Sequence, residues 1–280
     1  MILLAASVFG ADLKVDHVTI AGRDLKQLQA RFERAGIPSE YGGKHTNGLT
    51  EMAIASFADG SYLEFIAAQK PEGAAEHYWG KFIDQDGGPC AWAVSVPDVA
   101  AAAEGVHPSR SGRLRPDGVP LEWESASIGP EPQGTFFPFF IHDLTPRERR
   151  AFPHGKASAP GYRGVGMVVI GVRDLEGAIA RYRKTFRLPA PDMQDDQEFQ
   201  MRLAAFPGTP VVLASPLSPG SPLTKRLAKF GDAPCAFILD ASGGMLGSNP
   251  SRWFGSSIFW LESAGAGLPW VGVRVAKPGR

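Results

Sequence analysis

Residues 13–36, LKVDHVTIAGRDLKQLQARFERAG, decide the fold. HVTIA alternates, so His17, Thr19 and Ala21 share one face of a strand and Val18 and Ile20 the other. Asp24 is placed as a helix N-cap. Leu25, Leu28, Phe32 and Ala35 follow at helical spacing, and Gly36 ends the helix. A helix packed on the Val18/Ile20 face leaves His17 and Thr19 on the opposite side of the sheet. The unit returns at Tyr162 as YRGVGMVVIGVRDLEGAIARYRKTF, where Asp174 stands 150 residues beyond Asp24. Seven residues before each aspartate stand His17 in the first copy and Met167 in the second. The fold is repeated, but a chemistry that needs the imidazole is not.

Downstream of the first helix, strands are expected at residues 50–57 and 61–68, joined by an Asp59-Gly60 turn. In the second strand Tyr62, Glu64 and Ile66 share a face, with Leu63 and Phe65 opposite. Glu64 then lies among apolar neighbours, where a carboxylate needs a partner or a metal. CAWAVSV opens a second unit, which turns at Pro97-Asp98 and has an Ala-rich helix reaching Gly105. Strands follow near residues 121–128 and 135–143. Ala91 precedes Asp98 by seven residues and so holds the His17 place, and FFPFFIHD puts His142 in the place of Glu64.

The third unit has Leu175, Ala178, Ile179, Tyr182 and Phe186 on one helix face, then strands near 199–205 and 210–214. A fourth opens at CAFILDA, where SGGMLGSNPSRW replaces the helix by a loop, and SSIFWLES and PWVGVRV close the chain. The linking segments KFIDQDGGPCAW and KFGDAPCAF echo each other. Four βαβββ-type modules in two pairs is the economical description, an α+β fold with curved, mostly antiparallel sheets and helices on their convex faces. The expected domains are residues 13–144 and 161–280. Residues 145–160, rich in Pro, Gly and charge, read as a linker in which Arg147, Arg149 and Arg150 form a solvated charge run.

The chain's 280 residues suffice for two domains with cores of their own. Lys+Arg and Asp+Glu balance at 29 each, which leaves no net field for nucleic acid or an anionic membrane, so neither is expected as a partner. Cys90 and Cys235 fall at equivalent places in two copies, which predicts buried strand residues and no disulfide between them. The opening MILLAASVFGAD, residues 1–12, is either the remnant of a signal peptide or an extra strand, and it is too short to span a bilayer. The first alternative implies export; a cytoplasmic location is the default otherwise.

The phrases DHVTIAGRDL, GGKHTNG, ADGSYLEFIAA, PDGVPLEW and PFFIHD resemble the glyoxalase-like subgroup of the vicinal oxygen chelate superfamily, which includes glyoxalase I, extradiol dioxygenases and bleomycin-resistance proteins. The likeness covers residues 13–143 well and 162–275 more weakly. It implies paired modules forming a cup, with a metal held by residues on the first and last strands of each module. Carried over by position, the ligands would be His17, Glu64 and His142, with Ala91 leaving the fourth place to water. Two imidazoles and a carboxylate suit Zn²⁺, Fe²⁺, Ni²⁺ or Mn²⁺. Met167, Ala236, Val212 and Val273 at the corresponding places of the C-terminal pair give no metal site, which makes that half a scaffold or a dry pocket.

The resemblance thus implies a metal-dependent lyase, isomerase or dioxygenase acting on a small oxygen-rich molecule, with Glu64 and His45 as catalytic groups. The alternative is a metal-free cup that binds or sequesters a ligand, as in bleomycin resistance. The residues also have plainer readings: His17 as a hydrogen-bonded core side chain, Glu64 as the ion partner of Lys44, Arg23 or His17, and His45 as a solvated loop residue. His77, His107 and His154 lie in connecting segments and read as surface residues. Geometry decides between the two functions. The donor atoms of His17, Glu64 and His142 must converge to roughly 3–4 Å for a metal, and otherwise the metal-free reading is preferred.

Overall fold

In the computed structural model, which describes residues 13–70, 72–103, 105–243, 250–261 and 271–275, the duplication is explicit. The expected signal remnant or extra strand at residues 1–12 lies outside the described residues. β1 (Val15–Ala21) leads into α1 (Leu25–Arg34), β2 (Glu40–Lys44), β3 (Thr50–Ser56) and β4 (Tyr62–Ala68). Two short helices, α2 (Gly73–Glu76) and α3 (Gly80–Asp84), lead to β5 (Gly88–Ser95), α4 (Val99–Ala102), β6 (Ser109–Leu114), β7 (Pro120–Ala126) and β8 (Phe139–Asp143). After α5 (Arg147–Ala151) come β9 (Tyr162–Gly171), α6 (Leu175–Phe186), β10 (Asp192–Asp196), β11 (Met201–Ala205) and β12 (Val211–Pro216). α7 (Pro222–Phe230), β13 (Ala233–Ala241), β14 (Ser251–Trp253), β15 (Ser256–Leu261) and β16 (Val271–Val275) complete the second half.

Each half forms one 8-stranded sheet, and the strand orders are the same pattern used twice: β2-β3-β4-β1-β5-β8-β7-β6 and β10-β11-β12-β9-β13-β16-β15-β14. In each, the two first strands of the modules pair antiparallel at the centre, and each first strand pairs parallel with the last strand of its own module. The aspartates that begin the helices do so by the same device. Asp24 accepts from the Gln27 N–H, Asp98 from Ala101 and Asp174 from Gly177, each at 3.0 Å, which satisfies amides that the first turn leaves without partners.

Alternation distributes the side chains. Val18, Ile20, Leu63 and Phe65 face Leu25, Leu28 and Phe32 of α1, as the sequence predicts. The apolar cluster they belong to continues into the second half through Val168, Ile170, Tyr182 and Phe186. The helix-facing sides of the two sheets therefore share a core. Arg226 of α7 ties the halves further by donating to the carbonyls of Gly87 and Pro234, both at 2.7 Å, and of Pro89. Cys90 and Cys235 are buried and free.

The other sheet faces differ. That of the second half is filled by Val169, Met201, Leu203, Val212, Ala236, Ile238, Trp253 and Ile258, with Leu223 and Leu227 of α7 packed against them and Met167 at the margin. Val273 lies instead in the helix-side core. The corresponding face of the first half encloses a cup.

Candidate functional site

The cup is built on an irregularity of β1. Val15 pairs with Val94 and His17 with Ala93, so Asp16 is an extra residue between two pairs, a β-bulge that turns its side chain to the same neighbourhood as His17. His17 Nδ1 lies 2.6 Å from Asp16 Oδ1. The other side of Asp16 is held by Arg147 Nη1 at 2.6 Å and Arg150 Nη2 at 2.9 Å. Burial opposes ionisation of Asp16, but the charges of Arg150 and Arg147 and the bond from His17 outweigh it and hold the carboxyl far below its usual range. An ionised carboxylate only accepts, so His17 donates from Nδ1 and its Nε2 is left to the cup. The ring is fixed by stacking on Tyr62, with centroids 4.8 Å apart and planes 8° from parallel, and by the edge contact of Phe139.

The expected solvated charge run is thereby corrected. Arg147 and Arg150 lie three apart on one face of α5, which turns both toward Asp16 and Arg150 into the cup wall, while Arg149 stays exposed. Arg150 is 3% exposed and also donates to the Tyr62 hydroxyl at 2.5 Å. Asp143 completes the cluster against Arg150 and Arg147.

Glu64 lies on the cup face with Tyr62 and Ile66, as its strand parity predicts, and is 7% exposed. Its Oε2 accepts from the Thr19 hydroxyl at 2.9 Å and lies 3.7 Å from His17 Nε2; its Oε1 lies 3.5 Å from His45 Nε2. Burial would raise the pKa of this carboxyl, yet the two imidazoles and the Thr19 hydroxyl bring it down to about 2. Of the partners considered from sequence, His17 is the one it meets. His45 is no solvated loop residue: its side chain is 14% exposed and its Nδ1 lies 2.9 Å from the Thr50 hydroxyl.

The cup closes where β2 meets β6. His45 and Arg113 form an isolated bridge between these edges, the Thr46 hydroxyl donates to Gly112 O at 2.9 Å, and Arg113 Nη1 donates to Gly42 O. The cavity, open at one mouth, has a volume of about 300 Å³.

His77, read from sequence as a surface residue, is buried in the segment between α2 and α3 and lines this cavity. Its Nδ1 accepts from the Trp79 N–H at 3.1 Å, and Trp79 Nε1 donates to Gln133 O at 2.8 Å, so the segment is fastened over the cup. Burial pushes His77 down to about 4, aided by His45 and opposed by Glu64. The ring is therefore neutral near pH 7 and carries its proton on Nε2. Trp79 was the available signal, because an apolar aromatic beside the histidine marks a segment that packs. His107 and His154 are exposed, as expected.

Residues 15–186 match the family model described as the glyoxalase-like domain. The chain belongs to the glyoxalase-like domain family. Among solved structures, a hypothetical protein from Staphylococcus aureus superposes with a TM-score of 0.62 at 14% identity, over 94% of this chain and 98% of that one. That likeness shows the fold. Methylmalonyl-CoA epimerase from Mycobacterium tuberculosis aligns with 44% of this chain and 94% of its own, at 20% identity and a TM-score of 0.37. No curated protein matches the chain.

The metal set implied by the glyoxalase-like resemblance does not assemble. β8 pairs with β5 as Ala93↔Phe139, Val94↔Phe140 and Ser95↔Ile141. Since Thr19 pairs with Glu64 in the first module, the residue in the place of Glu64 is Phe139, and Phe139 and Ile141 line the cup. His142 shares the parity of Phe140, which lies in the helix-side core, and its Nδ1 meets Val96 O at 3.1 Å. The structure brings His17, Glu64 and His45 together and leaves His142 outside. Among the described residues no group of three or more His, Cys, Asp or Glu side chains is placed to hold a metal ion. Among the same residues, no helix is long and apolar enough to cross a membrane.

Proposed function

We propose that the N-terminal cup of this glyoxalase-like protein takes up a small oxygen-rich molecule and moves a proton on it at His17 Nε2, with no metal held by His142. One observation carries the reading: His17 is tied at Nδ1 to the ionised Asp16, 2.6 Å away, and presents its other nitrogen inside the cavity beside Glu64. In the step proposed, a ligand C–H or O–H proton passes to Nε2 and the electron pair stays on the ligand. The imidazolium so formed lies between two carboxylates held ionised, which stabilise the developing charge without titrating themselves. The same ring then returns the proton. Glu64, far below neutrality, orients and stabilises in this scheme; His45, facing its other oxygen, is the second group able to exchange a proton with the ligand.

The test is deuterium incorporation from D₂O into a panel of small carbonyl compounds, followed by proton NMR. His17→Gln is expected to slow exchange by roughly 10²–10⁴-fold, while Met167→Ala, in the filled half, leaves it unchanged. Undiminished exchange in His17→Gln would overturn the assignment.

The reading preferred from sequence once the metal geometry fails, a metal-free cup that sequesters its ligand unaltered, stands second because it gives no role to the Asp16–His17 pair, and it is favoured by Glu64 itself. A carboxylate held at about 2 is a weak base by its own means. Saturable binding with no exchange on any bound compound would select that reading.

A further inference from the structure

The two walls of the cup are unlike. The wall from the first module carries the titratable groups, His17, Glu64 and His45. The wall from the second carries Ser109, Ser111 and Arg113, which recur at every second residue of β6 and so point inward together, with Ser125 beside them on β7. The strip runs inward from the mouth: Ser109 and Ser111 are exposed, whereas Arg113 is 3% exposed.

Arg113 is a buried cation with too few acceptors. Nη1 is spent on Gly42 O, and Nη2 has no partner among the described residues. Burial lowers its pKa, which Tyr62 and Glu64 counter and Arg150 reinforces, so the guanidinium sits within the field of the cup's own charges. A buried guanidinium nitrogen left without an acceptor costs stability that an anionic oxygen would recover. Arg150, the other arginine lining the cup, is committed to Asp16, Asp143 and Tyr62.

We propose that Arg113 anchors the ligand's carboxylate, so that the cup selects small monocarboxylates. The anchor holds the acid group on the β6 wall and turns the rest of the molecule toward His17 and Glu64. A carboxylate fits better than a phosphate because one guanidinium nitrogen is free and the ionised Glu64 shares the cavity, which disfavours a dianion. This rests on the reading of the cup as the ligand site given above, and it adds the class of ligand.

Calorimetric titration of the full chain with phenylacetate, phenylacetamide and phenyl phosphate tests the anchor. Phenylacetate is expected to bind at least about tenfold more tightly than the amide, the scale of one charge-assisted hydrogen bond. Arg113→Gln should reduce phenylacetate to the level of the amide, and Arg113→Lys should keep part of the preference, with circular dichroism verifying the fold of both. The comparison of acid with amide on the unaltered protein stands even where a variant does not fold. Equal binding of acid and amide, tighter binding of phenyl phosphate, or no binding of any of the three overturns the carboxylate anchor. Equal binding together with deuterium exchange that depends on His17 removes the anchor and leaves the proton-transfer reading standing. A carboxylate preference without exchange on any compound does the reverse.

Discussion

His17 Nδ1 and Asp16 Oδ1, on adjacent residues, lie 2.6 Å apart because a bulge in β1 interrupts the alternation that would send their side chains to opposite faces. The pair is then locked from outside its strand by Arg147 and Arg150 of α5. An imidazole held this way has one nitrogen committed and one available, the arrangement that acid–base chemistry needs.

Asp16→Asn should destabilise the protein by about 3–5 kcal/mol, because it leaves the Arg150 charge buried with only Asp143 to balance it. Urea unfolding monitored by tryptophan fluorescence measures this. A loss under about 1 kcal/mol, typical of an exposed pair, would mean that the cluster is solvated in solution.

Acid should act in two windows. Burial holds the folded-state pKa of His77 at about 4 against 6.5, so the unfolded chain binds the extra proton first. Its contribution is full above about pH 6.5 and is lost as the pH falls toward 4. Glu64 is depressed from 4.5 to about 2, so its contribution, on the order of 3 kcal/mol, is full above about pH 4.5 and is lost as the pH falls from there toward 2. Unfolding free energies of wild type and His77→Gln should converge between pH 6.5 and 4. A difference that does not change with pH would place His77 in water.

His142→Ala should leave ligand binding and any metal uptake unchanged and cost about 0.5–1.5 kcal/mol, the value of its bond to Val96 O. Equilibrium dialysis against Zn²⁺, Fe²⁺, Ni²⁺ and Mn²⁺, followed by elemental analysis of both proteins, checks it. One equivalent of metal held by wild type and lost in His142→Ala would restore the three-ligand set.

Arg226→Ala removes the donor shared by the Gly87, Pro89 and Pro234 carbonyls, where the two halves meet. The expected cost is about 3 kcal/mol, since burying an unsatisfied carbonyl is worth about 1–3 kcal/mol and water will reach some of the three. A shift in the urea midpoint reads it. No shift would mean that the junction is hydrated.

Periodicity along the chain was enough for the duplicated fold, the aspartates that start the helices, and the common face of His17 and Glu64. Each of these is a matter of spacing between near neighbours, at 2 residues in a strand or 3.6 in a helix. The polar edge strands β2 (EYGGK), β6 (SRSGRL) and β10 (DMQDD) carry little apolar alternation and were not legible, and β14 (SRW) lies in the stretch read as a loop. The site depended on more than spacing. A single bulge brought Asp16 to His17, and the pairing of Ala93 with Phe139 turned His142 away, because a one-residue difference in register exchanges the two faces of a strand. Arg150, Arg113 and His77 entered the cup from segments that carry no periodic signal of their own. Their burial is settled by residues distant in sequence, Asp16 for Arg150, Gly42 for Arg113 and Gln133 for the segment of His77, and such contacts exist only once the chain has folded.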